Sequence, residues 1–303
     1  MNTAYEYLIG VDGGGTKTLV RVERPDGSHV ADGSSGPSAL MHGTGKAWLA
    51  IVAAIDGAFQ QAGLPRPPYR QLAAGFGLSG VNNKQWAAEF SAQDPGFGAI
   101  AVGTDAFTTL LGAHLGRPGA IVAIGTGSVG EALLADGSRR EVGGWGFQTG
   151  DEASGCWIGM RAINHVERVL DGRAEAGPLA HAIIAFCGGA GEHADQRDQV
   201  LSWIIQANQS IFAQLAPLVV AHAGQDDAAR SILQEAGREI EQIAAALDPA
   251  QDPANKLPIA LCGGLAAPLR PYLPQPLQVR ATAPQADAAA GAILLLRRQL
   301  KGE

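Results

Sequence analysis

Cysteine is scarce. Three residues in 303, at 156, 187 and 262, are too few and too far apart for a disulfide framework or a metal-ligand spacing. They fit a reducing compartment, and a cytoplasmic location is the expectation. The seven histidines are scattered and form no His-Glu-x-x-His pattern, which argues against a protein-built transition-metal site. Basic residues are no more abundant than acidic ones. With 22 Lys and Arg against 29 Asp and Glu, the net charge is −7, which leaves no electrostatic footprint for nucleic acid or an anionic membrane. No run of about 18 apolar residues occurs, since Ala288 to Leu296 is too short to span a bilayer, and residues 1–7 lack a signal-peptide pattern. What remains is an ordinary globular composition, 46% hydrophobic and 17% charged, long enough for one large domain or two ordinary ones.

Glycine, by contrast, is abundant and placed with a pattern. Leu8-Ile9-Gly10-Val11-Asp12-Gly13-Gly14-Gly15-Thr16-Lys17 closes an apolar strand and opens another, Leu19 to Val22, which ends at Asp26-Gly27. Ile121-Val122-Ala123-Ile124-Gly125-Thr126-Gly127-Ser128 does the same, running into Ala132 to Leu134 and ending at Asp136-Gly137. A repeated strand, glycine loop and strand suggests internal duplication. Two such hairpins suit a polyphosphate, because glycine lets backbone N–H groups surround anionic oxygens. Neither loop is a Walker motif: Thr16 rather than glycine precedes Lys17, and Val11 stands where the first glycine belongs. Nor is the first a dinucleotide fingerprint, because Thr18 to Val22 alternates like a strand where that motif needs a helix.

Between and after the loops the chain alternates elements. Ala31 to Gly45 reads as turn-rich. Trp48, Ile51, Val52, Ile55 and Phe59 recur at helical spacing until Pro65, Pro67 and Pro68. Short strands are expected at Leu72–Leu78 and Ala99–Val102, with Thr104-Asp105 opening a helix toward His114. Gly116 to Gly119 reads as a boundary. Further on, helices are expected from Trp157 to Leu170, opened by Asp151 and Glu152, at Leu201–Ala221 and at Ser231–Leu247. A strand at Pro258–Cys262 and an amphipathic helix at Asp287–Arg298 close the chain. Alternating strands and helices argue an α/β fold.

Asp12-Gly13-Gly14-Gly15-Thr16-Lys17 resembles the first phosphate loop of the actin-like ATPase superfamily of sugar kinases, heat-shock chaperone ATPases and actin. Gly125-Thr126-Gly127-Ser128 resembles its second phosphate loop, Cys262-Gly263-Gly264 its adenosine motif, and Asp287 to Leu296 its closing helix. Within it, Gly103-Thr104-Asp105-Ala106, Gly143-Gly144-Trp145-Gly146 and Gly150-Asp151-Glu152-Ala153-Ser154-Gly155 are similar to the N-acetylglucosamine kinase and BadF/BadG-type ATPase branch, including bacterial glucosamine kinases. Ser35-Gly36-Pro37-Ser38-Ala39-Leu40 is a weaker match, departing where the vertebrate N-acetylglucosamine kinases have an Asn-His-Trp segment.

The resemblance implies two similar actin-like (ribonuclease H-like) lobes with a nucleotide cleft between them: 1–117, onto which a helix at about 286–303 packs back, and 118–285 with a helical insertion. It implies an ATP-dependent kinase acting on the 6-hydroxyl of N-acetylglucosamine or glucosamine, with a homodimer as the expected assembly. Asp12 would hold Mg²⁺ through water, since Mg²⁺ keeps several waters and few carboxylates. Gly13, Gly14, Gly15, Thr16, Gly125, Thr126, Gly127 and Ser128 would contact phosphate, and Gly263 and Gly264 would leave room for adenosine. Lys17 is either a phosphate contact or a solvated strand residue. Asp105 would be the general base, the alternative being a plain cap on the helix that follows. Asp151 would accept sugar hydroxyls or cap a helix. Gly144 and Trp145 would meet the sugar face, although interdomain packing of the ring is equally open. Ser79 either lines the cleft or belongs to an ordinary turn. Two other functions have features against them. An ATPase switch activating a partner enzyme, like the dehydratase activators of the branch, would use cysteines for an iron–sulfur cluster. A sugar-sensing repressor would need a DNA-binding segment before residue 12.

Overall fold

The computed structural model describes residues 5–189, 193–248 and 256–302. It divides into two compact units, one formed by 1–119 with 135–137 and 283–303, the other by 120–134 with 138–282.

The first unit is a five-stranded sheet in the order β3-β2-β1-β4-β5. Its strands are β1 Tyr7–Gly13, β2 Thr18–Glu23, β3 His29–Ser35, β4 Leu72–Leu78 and β5 Ala99–Thr104. The first three run antiparallel as a meander, while β1, β4 and β5 are parallel. β4 is buried at all seven positions, as a central parallel strand covered on both faces must be. β2 alternates buried and half-buried. One face is covered by α1, Thr44–Gln61, which buries Trp48, Ile51, Ile55 and Phe59. Trp48 stacks on Phe90 of α2, Lys84–Ala92, with ring centroids 4.3 Å apart. The other face takes α3, Asp105–His114, and a closing helix, Ala288–Lys301, which packs on α3, β1, β4 and β5. That helix is seated very closely: a side chain at Gly10 or Gly75 would come within 1.9 Å of the Ala289 or Ala292 carbonyl oxygen. Burying its Ile293 and Leu296 contributes roughly 1.5–3 kcal/mol each.

In the second unit the sheet order is β10-β9-β6-β7-β8. In chain order, β6 Gly119–Ile124, β7 Ser128–Leu133 and β8 Arg139–Gly143 form a meander. The helices α4 Gly155–Leu170, α5 Pro178–Phe186, α6 His193–Gln206, α7 Gln209–Ala213, α8 Ala216–His222 and α9 Asp227–Leu247 follow. β9 Ile259–Cys262, α10 Ala266–Leu269, α11 Gln275–Arg280 and β10 Ala281–Thr282 complete it. β6, β9 and β10 are parallel.

Several expectations are corrected. The stretch from Ala31 is not all turn: His29–Ser35 is an edge strand that owes its shape to pairing with β2, since Asp32, Gly33, Ser34 and Ser35 carry no apolar alternation. Asp151 and Glu152 do not lie in the first turn of α4. Ser154 caps it, accepting from the Trp157 N–H at 3.1 Å. The single helix expected over Leu201–Ala221 is three helices. Asn208 opens a new turn by accepting from the Ile211 N–H, and Pro217, which has no N–H to donate, lies in the first turn of α8.

Candidate active site

The parallel strands β1, β4 and β5 end side by side, with Gly13 opposite Leu78 and Leu78 opposite Thr104. The residues just past those ends are the Gly14–Lys17 tip, Ser79 and Asp105. This is where an α/β sheet presents groups to a ligand, because the chain must turn there and leaves backbone polar groups open. The tip is a closed turn, Gly14 N–H to the Lys17 carbonyl at 3.1 Å. The Gly14 carbonyl accepts from both the Ser38 and Ala39 N–H groups, and the Ser79 N–H donates to the Gly13 carbonyl at 2.9 Å. Thus the divergent 35–40 segment and Ser79 brace the tip through their backbones. Gly13 is required by packing, since a Cβ there would lie 2.2 Å from Ser38 Oγ. Gly15 is not: nothing in the chain lies within 4 Å of the Cβ position, and its φ is not in the left-handed region. A glycine that neither fold nor backbone demands fits close approach of a ligand. Gly15, Thr16 and Lys17 are exposed.

Asp12 sits near the end of β1 with its carboxyl pushed up to about 6, first by burial, then by the negative charges of Asp105 and Asp287, with Lys17 opposing. Asp287 caps the closing helix through the Ala290 N–H at 2.8 Å and pairs with Arg21 at 3.0 Å. Asp105 is half-buried at the first position of α3. The helix is capped not by Asp105 but by Thr104, whose hydroxyl accepts from the Phe107 N–H at 3.1 Å. Asp105 Oδ1 accepts from the Ala106 N–H at 2.9 Å, and its backbone carbonyl accepts from the Thr109 hydroxyl. Because Thr104 serves as the cap, capping alone does not explain a carboxylate at 105.

In the second unit, the tip Gly125–Gly127 is closed by Gly125 N–H to the Gly127 carbonyl at 2.9 Å. The first turn of α4 holds it: Gly155 and Cys156 N–H groups donate to the Gly125 and Thr126 carbonyls, and Ser128 Oγ donates to the Glu152 carbonyl at 2.6 Å. Asp151 is only 5% exposed and adopts a positive φ of 54°, as Ala153 does at 66°. Two non-glycine residues in that region within one turn mark a backbone held against its preference by its surroundings. Burial raises the Asp151 carboxyl, while N–H groups of Ser128 and Gly146 and the side chain of Gln209 act against that rise. Gln209 Nε2 donates to Asp151 Oδ2 at 2.7 Å. Asp151 is therefore a knot tying the hairpin tip, the Gly146 loop and α7. Gln209 escaped the sequence reading because it lies 58 residues away and carries no motif.

Trp145 is 82% exposed, on a loop in which Gly143, Gly144 and Gly146 all have left-handed φ. At the end of β9 the two glycines differ. Gly263 has φ +90° and would place a Cβ 2.3 Å from the Ile124 carbonyl oxygen, so the fold itself demands glycine. Gly264 faces open space. Only Gly264 thus has room that the fold does not use. Among the described residues no group of three or more His, Cys, Asp or Glu could hold a metal ion, and no helix is long and apolar enough to cross a membrane.

Comparison with known proteins bears on the family and the fold. A glucosamine kinase of Vibrio cholerae is 32% identical over 289 residues, 95% of each chain. A solved Chromobacterium violaceum protein, described as a candidate N-acetylglucosamine kinase, is 50% identical, with a TM-score of 0.91 over 97% of this chain and all of that one. A Streptomyces griseus ROK-family glucokinase shares the fold at 16% identity, with a TM-score of 0.55 over 97% of this chain and 99% of its own. Both α/β units are those of the actin-like ATPase sugar kinases. The family model of the BadF/BadG/BcrA/BcrD ATPases matches residues 9–295, and the chain belongs to that family.

Proposed function

We propose that the protein is an ATP-dependent amino-sugar kinase that phosphorylates the 6-hydroxyl of N-acetylglucosamine or glucosamine in the cytoplasm. The observation that carries this is the convergence of Asp12, the Gly14–Lys17 tip and Asp105 at and just past the ends of three adjacent parallel strands, in a chain similar along its length to a glucosamine kinase. In this reading the lobe of 1–117 and the helix near 286–303 supplies the acceptor chemistry, and 118–285 supplies the second hairpin and the adenosine side.

Asp105 orients the sugar hydroxyl and accepts its proton as the oxygen-to-γ-phosphorus bond forms and the bond to the β-phosphate oxygen breaks, releasing ADP. The two hairpin tips offer backbone N–H groups to the phosphates, with Thr16, Lys17 and Ser128 beside them. Mg²⁺, when bound, neutralises charge on the phosphates. Asp12 fits that ion, because it is a largely buried carboxylate whose nearest charges are mostly negative, so a cation relieves its desolvation. Asp151 and the Gly144–Trp145 loop face the sugar in this reading, with Gln209 fixing the Asp151 carboxylate.

The test is a coupled assay of ADP formation with Mg-ATP and glucosamine, N-acetylglucosamine, glucose or N-acetylmannosamine. Turnover with one of the two glucosamine sugars well above the others is expected. No ADP above background with any of them would refute the reading. Analytical ultracentrifugation tests the expected homodimer.

A further inference from the structure

Outside all of these residues, the helical part of the second unit contains a cavity of about 600 Å³. Its walls include Asp198, Gln199, Ser202 and Trp203 of α6, with Ile211 and Gln214 contributed by α7 and the residue after it. None of the described lining residues is Lys or Arg, which disfavours phosphate, nucleotide or any other anion. The polar groups are amides, a hydroxyl and one carboxylate, which pair with hydroxyl-rich ligands. The volume lies in the range of small-molecule sites.

One detail makes this more than a crevice. The Trp203 indole is held edge-to-face by Phe186 at 6.3 Å and by Phe212 at 5.5 Å. A fixed aromatic face attracts the weakly positive C–H groups of a sugar ring, while the amides meet its hydroxyls. We propose that this cavity is an accessory site for a neutral pyranose, sharing no residue with the groups assigned above to nucleotide and acceptor. Its occupant would touch α7 at Ile211 and the residue that follows the helix, Gln214. The same helix begins at Gln209, which donates to Asp151. Filling the cavity thereby bears on the Asp151 carboxylate through one short helix.

The experiment uses the full chain labelled with 5-fluorotryptophan. The Trp203 ¹⁹F resonance, one of five, is identified by its loss in Trp203→Phe. Titration with N-acetylglucosamine, without nucleotide, is expected to shift that resonance saturably. The sugar-dependent shift should be lost in Gln199→Leu and in Ser202→Phe, both of which keep sugar-dependent ATP consumption. Sodium phosphate should leave the resonance unmoved. A resonance that does not move with sugar would mean that the cavity holds water only and would overturn the proposal. A shift undiminished in both variants would assign it to the acceptor site instead, also overturning the proposal, as would an equal shift with phosphate. The readout requires no turnover and should persist in Asp105→Asn, so failure of the kinase reading is distinguishable from failure of this one.

Discussion

At the first hairpin the chain leaves space around its outer glycines; at the second it fills part of that space with its own side chains. Gly15 meets nothing within 4 Å, whereas a Cβ at Gly127 would lie 2.7 Å from Asp151 Oδ2 and 3.1 Å from Gln209 Nε2. The first tip is braced from behind by backbone bonds to Ser38, Ala39 and Ser79. The second is tied at its carbonyls to the start of α4 and, through Asp151, to α7. Two loops of one sequence type thus use glycine for different reasons: one keeps an approach open, the other fits under a carboxylate. Glycine content alone does not say which.

That contrast can be broken or sharpened by substitution. The largest effect is expected at the acceptor side of the first unit. Asp105→Asn should lower turnover at least ~10²-fold while leaving the calorimetric affinity for ATP intact. Near-normal turnover would remove Asp105 from the role of base. Next is Asp12→Asn. The Asp12 carboxyl titrates near 6 in the folded protein against 3.8 in the unfolded chain, so the folded state holds the proton more tightly. Wild-type stability is therefore lost as pH rises through the window from about 4 to about 6, by up to about 3 kcal/mol for a shift of two units. In chelator-treated protein, Asp12→Asn should raise the denaturation midpoint above pH 6 and leave it unchanged below pH 4, while activity falls. An equal or lower midpoint at pH 7.5 would contradict the buried-carboxylate account.

The hairpins themselves give the next contrast. Gly127→Ala should destabilise the protein by about 1–3 kcal/mol, because its neighbours are hydrogen-bonded to each other and must separate. Gly15→Ala should change stability by no more than ~0.5 kcal/mol yet raise the KM for ATP. Paired chemical denaturation curves check both, and equal losses would erase the distinction. Smallest is Gln209→Ala, which leaves Asp151 one donor short. A rise of ~2–10-fold in sugar KM is expected, from one hydrogen bond of about 0.5–1.5 kcal/mol, with nucleotide KM unchanged.

The α/β class, the family and the kinase chemistry were legible because glycine loops, Asp12 and the Gly103–Ala106 segment are local signals with fixed spacing. The strands expected at Leu72–Leu78 and Ala99–Val102, the second running on to Thr104 in the structure, and helix α3 were legible for the same reason: apolar runs bounded by turns. What depended on distant partners was not. β3 is a strand only because β2 pairs with it, and the bond from Gln209 to Asp151 joins residues with no shared pattern. The start of α4 was misread because Asp151 and Glu152 suit a first turn, yet Ser154 could equally have been read as the cap. Gly263 and Gly264 look alike in sequence. Only the position of the Ile124 carbonyl separates the glycine the fold needs from the one it leaves open.

The glycine-lined seat of the closing helix has a consequence for synthesis on the ribosome. β1 and β4 are made early, but the surface that covers Gly10 and Gly75 is encoded at residues 288–301. The first unit therefore emerges with α3 on that side of its sheet but the seat over Gly10 and Gly75 uncovered, and it stays so while the whole second unit is translated. Maturation of the two halves runs against their order in the chain, with the earlier one finished last.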